Sequence, residues 1–240
     1  MSGAWRPVGV VCALQAEAAT LAALDRGRLR IAVCGVGAEA AERSARRLVD
    51  DGVRALVSWG VAVGLDPALA PGAVLVPARV LSGTGEVASS LEVDAATAAW
   101  SARVLGEAGA VVGGRLVALD AVVRTAADKR RLGLHHAASA GDMETGAVAG
   151  LARAAGLPWL VVRAVADPLW LSLPASVASA VDARGGIRVG PVLRELARRP
   201  TVAADLVRLG VAFRAALAGL RRTARAAHEA GGLLAPAARD

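Results

Sequence analysis

Three carboxylates stand where their types and spacing could act on a bond to a sugar. Glu144 lies in Gly141-Asp142-Met143-Glu144-Thr145-Gly146, a glycine-flanked turn with two acids that opens a helical run over 147–155. Asp167 follows the apolar run Trp159-Leu160-Val161-Val162 and Arg163-Ala164-Val165-Ala166, and precedes Pro168. Glu17 comes five residues after another apolar run, Val8-Gly9-Val10-Val11-Cys12. If both runs are strands of one α/β sheet, Glu17, Glu144 and Asp167 share its carboxyl edge, where such sheets bind ligands. Cleavage of a glycosidic bond passes through an oxocarbenium-like state. It needs an acid to protonate the leaving group and a carboxylate to activate water. Each acid also has a plainer explanation: Glu17, Asp142 and Glu144 would favour a helix N-terminus, and Asp167 would be a turn residue.

Other segments offer less. Gly60-Val61-Ala62-Val63-Gly64-Leu65 reads as a turn of small residues at a strand end, whose main-chain N–H groups could approach an anion or a polarised oxygen. Gly35-Val36-Gly37-Ala38-Glu39-Ala40 fits a loose G-x-G-x-x-A, but Asp50 and Asp51 fall too early for the ribose-binding acid of a dinucleotide site. A tight strand-to-helix turn explains those glycines equally well. His135 and His136 have no partners at zinc-ligand spacing, and neither a P-loop nor a G-x-S-x-G elbow occurs.

The elements that must position these residues alternate along the chain. Strands are expected over 8–12, 29–34, 55–59, 73–81, 115–119 and 159–162. Helices are expected over 18–24, 38–51, from the cap Asp94 to about Glu107, over 125–132 and over 147–155. Residues 82–90 look loop-like. The longest helical pattern runs from Thr201 to about His228, with Val202, Leu206, Leu209, Phe213, Leu217 and Leu220 at three/four spacing. The expected fold class is therefore α/β: a single domain spanning 1–240, with a central, mostly parallel twisted sheet flanked by helices and a long C-terminal helix.

The chain has 240 residues, is 55% hydrophobic and carries a net charge of +7, with one phenylalanine, no tyrosine and only one lysine, Lys129. The arginines are scattered and no aromatic platform accompanies them, so nucleic acid is not an expected partner. The longest uncharged stretch, 168–181, is too short to span a bilayer and contains Pro174. Cys12 and Cys34 each end an apolar run and read as reduced, buried thiols of a cytoplasmic protein.

Taken together, Gly141 to Val148 and Val162-Arg163-Ala164-Val165-Ala166-Asp167 resemble the signature of the nucleoside phosphorylase/nucleosidase superfamily. Residues 8–17 are similar to the first strand and glutamate turn of its methylthioadenosine/S-adenosylhomocysteine nucleosidase branch, and Gly60 to Leu65 to its glycine-rich loop. Leu193-Arg194-Glu195-Leu196-Ala197-Arg198-Arg199-Pro200 and the following helix resemble the hopanoid-associated phosphorylases, implicated in removing adenine from adenosylhopane. The resemblance implies Asp167 as the acid that protonates the purine at N7, Glu144 as ligand of the ribose hydroxyls and Glu17 as the group that activates water. It further implies Met143 against the sugar, Val122 and Val123 against the base, and Gly60, Val61 and Ala62 near the nucleophile.

Two positions depart from the nucleosidase pattern: Val61 and Ala166 stand where serines are usual. Val122 replaces a base-stacking phenylalanine. No cofactor is expected, and phosphate enters only as a co-substrate in place of water. The turn at Gln15 and Glu17 offers phosphate no cationic clamp, so water is the expected nucleophile. The alternatives are a methylthioadenosine/S-adenosylhomocysteine-type nucleosidase and a nucleoside-binding sensor without turnover. A homodimer is implied by the resemblance. Trp170, Leu171 and Leu173 could line an apolar mouth of the site, and the arginines around the C-terminal helix could hold the protein on the anionic inner face of a membrane; the alternative is a lid over the pocket and an ordinary amphipathic helix packed on the sheet.

Overall fold

A computed structural model describes residues 6–24, 26–82, 89–174 and 202–234, with scattered single positions between 177 and 199. The strand β1 (Val8–Cys12) is buried at every position, as its unbroken apolar sequence requires of a central strand. It pairs in parallel with β2 (Leu29–Val33) on one side and with the first half of β3 (Ala55–Gly64) on the other. On its opposite edge β3 pairs in parallel with β10 (Trp159–Asp167), which is likewise buried at every position. Beyond β1's reach, Val63 and Gly64 of β3 pair antiparallel with β9 (Ala140–Asp142). One long strand thus carries two successive neighbours on one edge, and the sheet curls.

The remaining strands extend this sheet. β10 continues through β4 (Val74–Val76) to β7 (Val111–Val112), and β9 through β8 (Arg115–Ala118) and β5 (Arg79–Ser82) to β6 (Ser89–Glu92). Among the described residues six of the nine pairings are parallel and three antiparallel. The sheet is thus mostly parallel, as expected, with antiparallel pairings at β4, β9 and β6.

Helices cover both faces. Alternation along the strands sends Val10, Val57, Leu160 and Val162 to one core, completed by Leu217, Leu220 and Ala224 of α6 (Ala203–Glu229). Val11, Leu56 and Val161 face the other core. It is completed by α2 (Ala38–Asp50) and α5 (Thr145–Ala154) through Ala41, Ala45, Val148 and Ala152. The C-terminal half of α6 spends its apolar stripe on the sheet, while Arg214, Arg221, Arg222 and Arg225 stay exposed. No helix among the described residues is long and apolar enough to cross a membrane.

Several expected boundaries move. The run 73–81 is two strands, β4 and β5, because Pro77 cannot donate to a ladder. The helix expected over 18–24 is a four-residue α1 (Gln15–Ala18) followed by a 3₁₀ turn, Ala19–Ala23. Asp94 caps α3 (Ala95–Ser101) by accepting from the Thr97 N–H at 2.9 Å, and one turn of π-helix follows. Thr125 caps α4 (Ala126–His136). Cys12 and Cys34 are free and buried; the Cys34 thiol donates to the Gly35 carbonyl and burial pushes its pKa up to about 12. The hopanoid-like segment, residues 193–200, lies mostly outside the described residues, as do residues 83–88 of the expected loop.

Candidate active site

The largest revision concerns Gly60 to Gly64. This segment is not a turn but the second half of β3, paired in parallel with β10 from Gly60 to Val63. Its small residues make room for what lies against the strand. A methyl at Gly60 would press on the Arg163 guanidinium and come within 2.6 Å of Glu17 Oε1. A methyl at Gly64 would stand 3.1 Å from Val165 Cγ1.

Glu17 is 1% exposed, which rules out a solvated helix-start glutamate. Both its oxygens are held: Oε2 accepts from the Leu14 N–H and Oε1 from the Val61 N–H, each at 2.8 Å. Its carbonyl accepts from Thr20 Oγ1, which in turn accepts from the Trp59 indole N–H, so the short α1 is pinned to β3. Burial raises the Glu17 pKa, against the pull of Arg163 and of these backbone donors. The hydroxyl missing at Val61 therefore leaves the main-chain contact to Glu17 intact.

Glu144 closes the opposite wall. It ends the segment between β9 and α5, and its Oε1 accepts from the Gly37 N–H at 2.8 Å. Gly37 is the N-cap of α2 with φ +111°, a conformation that glycine alone adopts cheaply. The glycine turn of residues 35–37 thus holds a protein carboxylate rather than a phosphate. Burial first, then Asp142, raises the Glu144 pKa to about 7, opposed by Arg163 and the Gly37 N–H.

Asp167 reaches the site through a β-bulge. Val165 pairs with Ala62 and Asp167 with Val63, so Ala166 is the extra residue and the strand end is re-aimed. Asp167 Oδ1 accepts from Lys129 Nζ at 2.5 Å. Burial raises its pKa to about 6, with the lysine pulling the other way. A carboxyl in that range can both hold and release a proton near neutrality.

Glu17, Glu144 and Asp167 line one cavity of about 210 Å³, shared with Val61, Ala62, Val122, Val123, Met143 and Asp142. Of the nine residues expected at the site, Gly60 is the one behind the wall: it backs Glu17 and Arg163 instead of lining the cavity. Among the lining residues no cation occurs, and most of the wall is aliphatic.

Two residues to which the sequence reading gave no role support this arrangement. Arg163, 1% exposed in mid-strand, forms ion pairs with Asp142 and, at 3.8 Å, with Glu144. It also donates to Ser58 Oγ at 2.7 Å and Thr145 Oγ1 at 3.0 Å. Asp142 accepts from the Thr145 N–H as well, so it organises the start of α5. An arginine inside an otherwise apolar strand was the available signal, since such a charge is buried only with partners. Lys129, wholly buried on α4, is the other.

The sequence model of the Phosphorylase superfamily matches residues 7–183 of the chain. The chain belongs to that superfamily of enzymes. Among solved structures it is similar to the 5′-methylthioadenosine/S-adenosylhomocysteine nucleosidase of Helicobacter pylori, with a TM-score of 0.66 at 16% identity, covering 95% of this chain and 98% of that one. The futalosine hydrolase of the same organism gives 0.65 at 16% identity over 91% and 97% of the two chains. The Neisseria meningitidis nucleosidase, solved with methylthio-immucillin-A, gives 0.66 at 16% identity over 92% and 97%. No match is found among curated protein sequences. At these identities the likeness is one of fold, and this superfamily member keeps Glu17, Glu144 and Asp167 together on geometry of its own.

The raised pKa values fix the sign of a pH effect. Folded Asp167 and Glu144 titrate at about 6 and about 7, above their ordinary values of 3.8 and 4.5, and Glu17 is raised too. The folded state therefore binds more protons than the unfolded one in that window, and stability falls as pH rises. The contribution of these groups is complete below about pH 4 and lost through about pH 7. The Tm of the ligand-free protein is expected to decline between about pH 5 and about pH 8. A scanning calorimetry series showing a flat or rising Tm would contradict this charge assignment.

Proposed function

We propose that the protein hydrolyses the N-ribosidic bond of an adenosine derivative and releases adenine. The observation that carries the reading is the convergence of three differently held carboxyls on one largely aliphatic cavity. Asp167, at about 6, donates a proton to the leaving purine. Glu17, fixed by two backbone N–H groups, accepts a proton from the attacking water. Glu144 accepts from the ribose hydroxyls and gains strength as positive charge develops on the sugar. Met143 packs on the sugar, and Val122 and Val123 on the base.

Water is favoured over phosphate by the charge of the walls. Four carboxylates and no cation line the cavity among the described residues, and Arg163 is already committed to Asp142, Ser58 and Thr145. A phosphate dianion entering there would meet like charge without a clamp.

The proposed substrate is adenosylhopane, in hopanoid biosynthesis. This rests on the likeness of residues 193–200 and the C-terminal helix to the hopanoid-associated members. The cavity is small against ordinary ligand sites of about 300–1,000 Å³, so it suits a nucleoside head whose tail leaves the pocket. Two of its lining residues are exposed and apolar, Val36 and Val122, as such an exit requires.

The test follows free adenine from adenosylhopane, 5′-methylthioadenosine and S-adenosylhomocysteine, each with and without phosphate. Release independent of phosphate, fastest from the hydrocarbon-tailed nucleoside, is the expected result. Release only with phosphate would overturn hydrolysis. Preference for the sulfur compounds would make the protein a methylthioadenosine/S-adenosylhomocysteine-type nucleosidase, and binding without release would make it a sensor.

A further inference from the structure

The only lysine of the chain, Lys129, is fully buried on α4 and spends its ammonium group entirely on the segment that carries Asp167. Nζ donates to Asp167 Oδ1 at 2.5 Å, to the Pro168 carbonyl at 3.1 Å and to the Leu171 carbonyl at 2.6 Å. Three donors meet three acceptors, so the ammonium is saturated and its geometry fixed. Burying a charge in this way is costly without a paired charge, and Asp167 is that pair. An ordinary structural tie to two carbonyls needs no cation; a hydroxyl or amide would serve.

We propose that Lys129 is a positioning residue for the proton donor: it fixes Asp167 at the end of β10 and stabilises the carboxylate left when the proton has gone. The inference rests on the reading of Asp167 as the acid. In the step concerned, the proton leaves the Asp167 carboxyl for the purine ring nitrogen as the ribosidic bond breaks. The bonding pair goes to the base, and water supplies hydroxide to the sugar and a proton to Glu17. Lys129 keeps its own proton throughout. Its attraction for Asp167 strengthens as the carboxyl turns from neutral to charged, so it favours the transferred state over the ground state.

The charged groups around Asp167 are few. Lys129 comes from α4, whose other charges Asp128, Arg130 and Arg131 lie on its outer side, with Asp128 bonded to Arg131. Across the cavity stand the carboxyls of Glu17, Asp142 and Glu144. Arg163, on the same strand, is engaged by Asp142. Burial and Lys129 are the two opposing influences on the Asp167 carboxyl. Without the lysine, burial acts alone, and the acid keeps its proton but gives it up less readily.

The test compares full-length wild type with Lys129→Met and Lys129→Gln. The amide of the latter retains hydrogen-bond donors without charge, and guards against a Met variant that fails to fold. Two measurements are made: the ¹³C titration of the Asp167 carboxyl, assigned by its absence in Asp167→Asn, and the pH profile of adenine release. Removing an opposite charge at this distance is expected to move both the titration and the basic limb of kcat/KM upward by about 1–3 pH units. It should also lower kcat by about tenfold or more, with KM little changed. Lys129→Met placed on Asp167→Asn should cost no further activity, because the lysine acts through the aspartate. An unmoved carboxyl titration, or fully additive losses in the double variant, would overturn the proposal. Full activity in Asp167→Asn would instead overturn Asp167 as the acid, while the titration would still report on the pair.

Discussion

Asp167→Asn is expected to reduce adenine release by about 10²- to 10⁴-fold, the usual contribution of a general acid, while leaving the fold intact. The amide has nearly the volume of the carboxyl and its carbonyl oxygen can still accept from Lys129, so the tie from α4 to β10 survives in weakened form. What disappears is a proton that can be given up near neutrality. The loss should appear in kcat rather than in KM, because the proton moves only as the bond breaks. The variant should also lose the basic limb near pH 6 that the wild-type carboxyl imposes. Steady-state release of adenine across pH, with calorimetric confirmation of folding, checks both points. Retention of more than about a tenth of wild-type kcat would assign the proton to another group.

Much of this arrangement was legible in the sequence because the carboxylates that line the cavity occupy a strand end and helix starts. Two apolar runs, 8–12 and 159–162, announced the central strands β1 and β10, and Glu17 and Asp167 each lie five residues beyond them. The second half of β3 was misread for a physical reason. Gly60, Ala62 and Gly64 look like a turn by composition, yet they recur with the period of a strand. Their smallness answers to Arg163, Glu17 and Val165 pressing on the strand, and those contacts are non-local. The strand β9 was hidden for a different reason: three residues are too few to show a period, and its place is set by pairing with β8 and β3. The partners of the carboxylates were equally out of reach. That Glu144 would accept from Gly37, 107 residues away, or that Lys129 would find Asp167, depends on how the sheet curls.

Arg163→Met is expected to destabilise the protein by about 3–5 kcal/mol, the cost of leaving a buried charge without its partner. The methionine fills much of the same space in β10, so lost packing is a small part of the effect. The larger part lies with the groups the guanidinium serves. Asp142 would keep only its bonds to Thr145, Glu144 would keep the Gly37 N–H, and Ser58 would lose its cationic donor. In a protein of this size each kcal/mol moves Tm by about 2–4 °C, so a fall of about 6–20 °C is expected. The pH dependence distinguishes this cause from simple repacking. Arg163 lowers the pKa of both Glu17 and Glu144, so in its absence both rise further and bind protons more readily. Protonation relieves an unpaired buried carboxylate, so the Tm deficit should shrink on going from about pH 8 to about pH 5. An equal deficit at both ends would place the cost in packing of the strand. Full stability at about pH 8 would mean that the carboxylates do not depend on Arg163 at all, and that the curled sheet tolerates three acids at its edge without a shared cation.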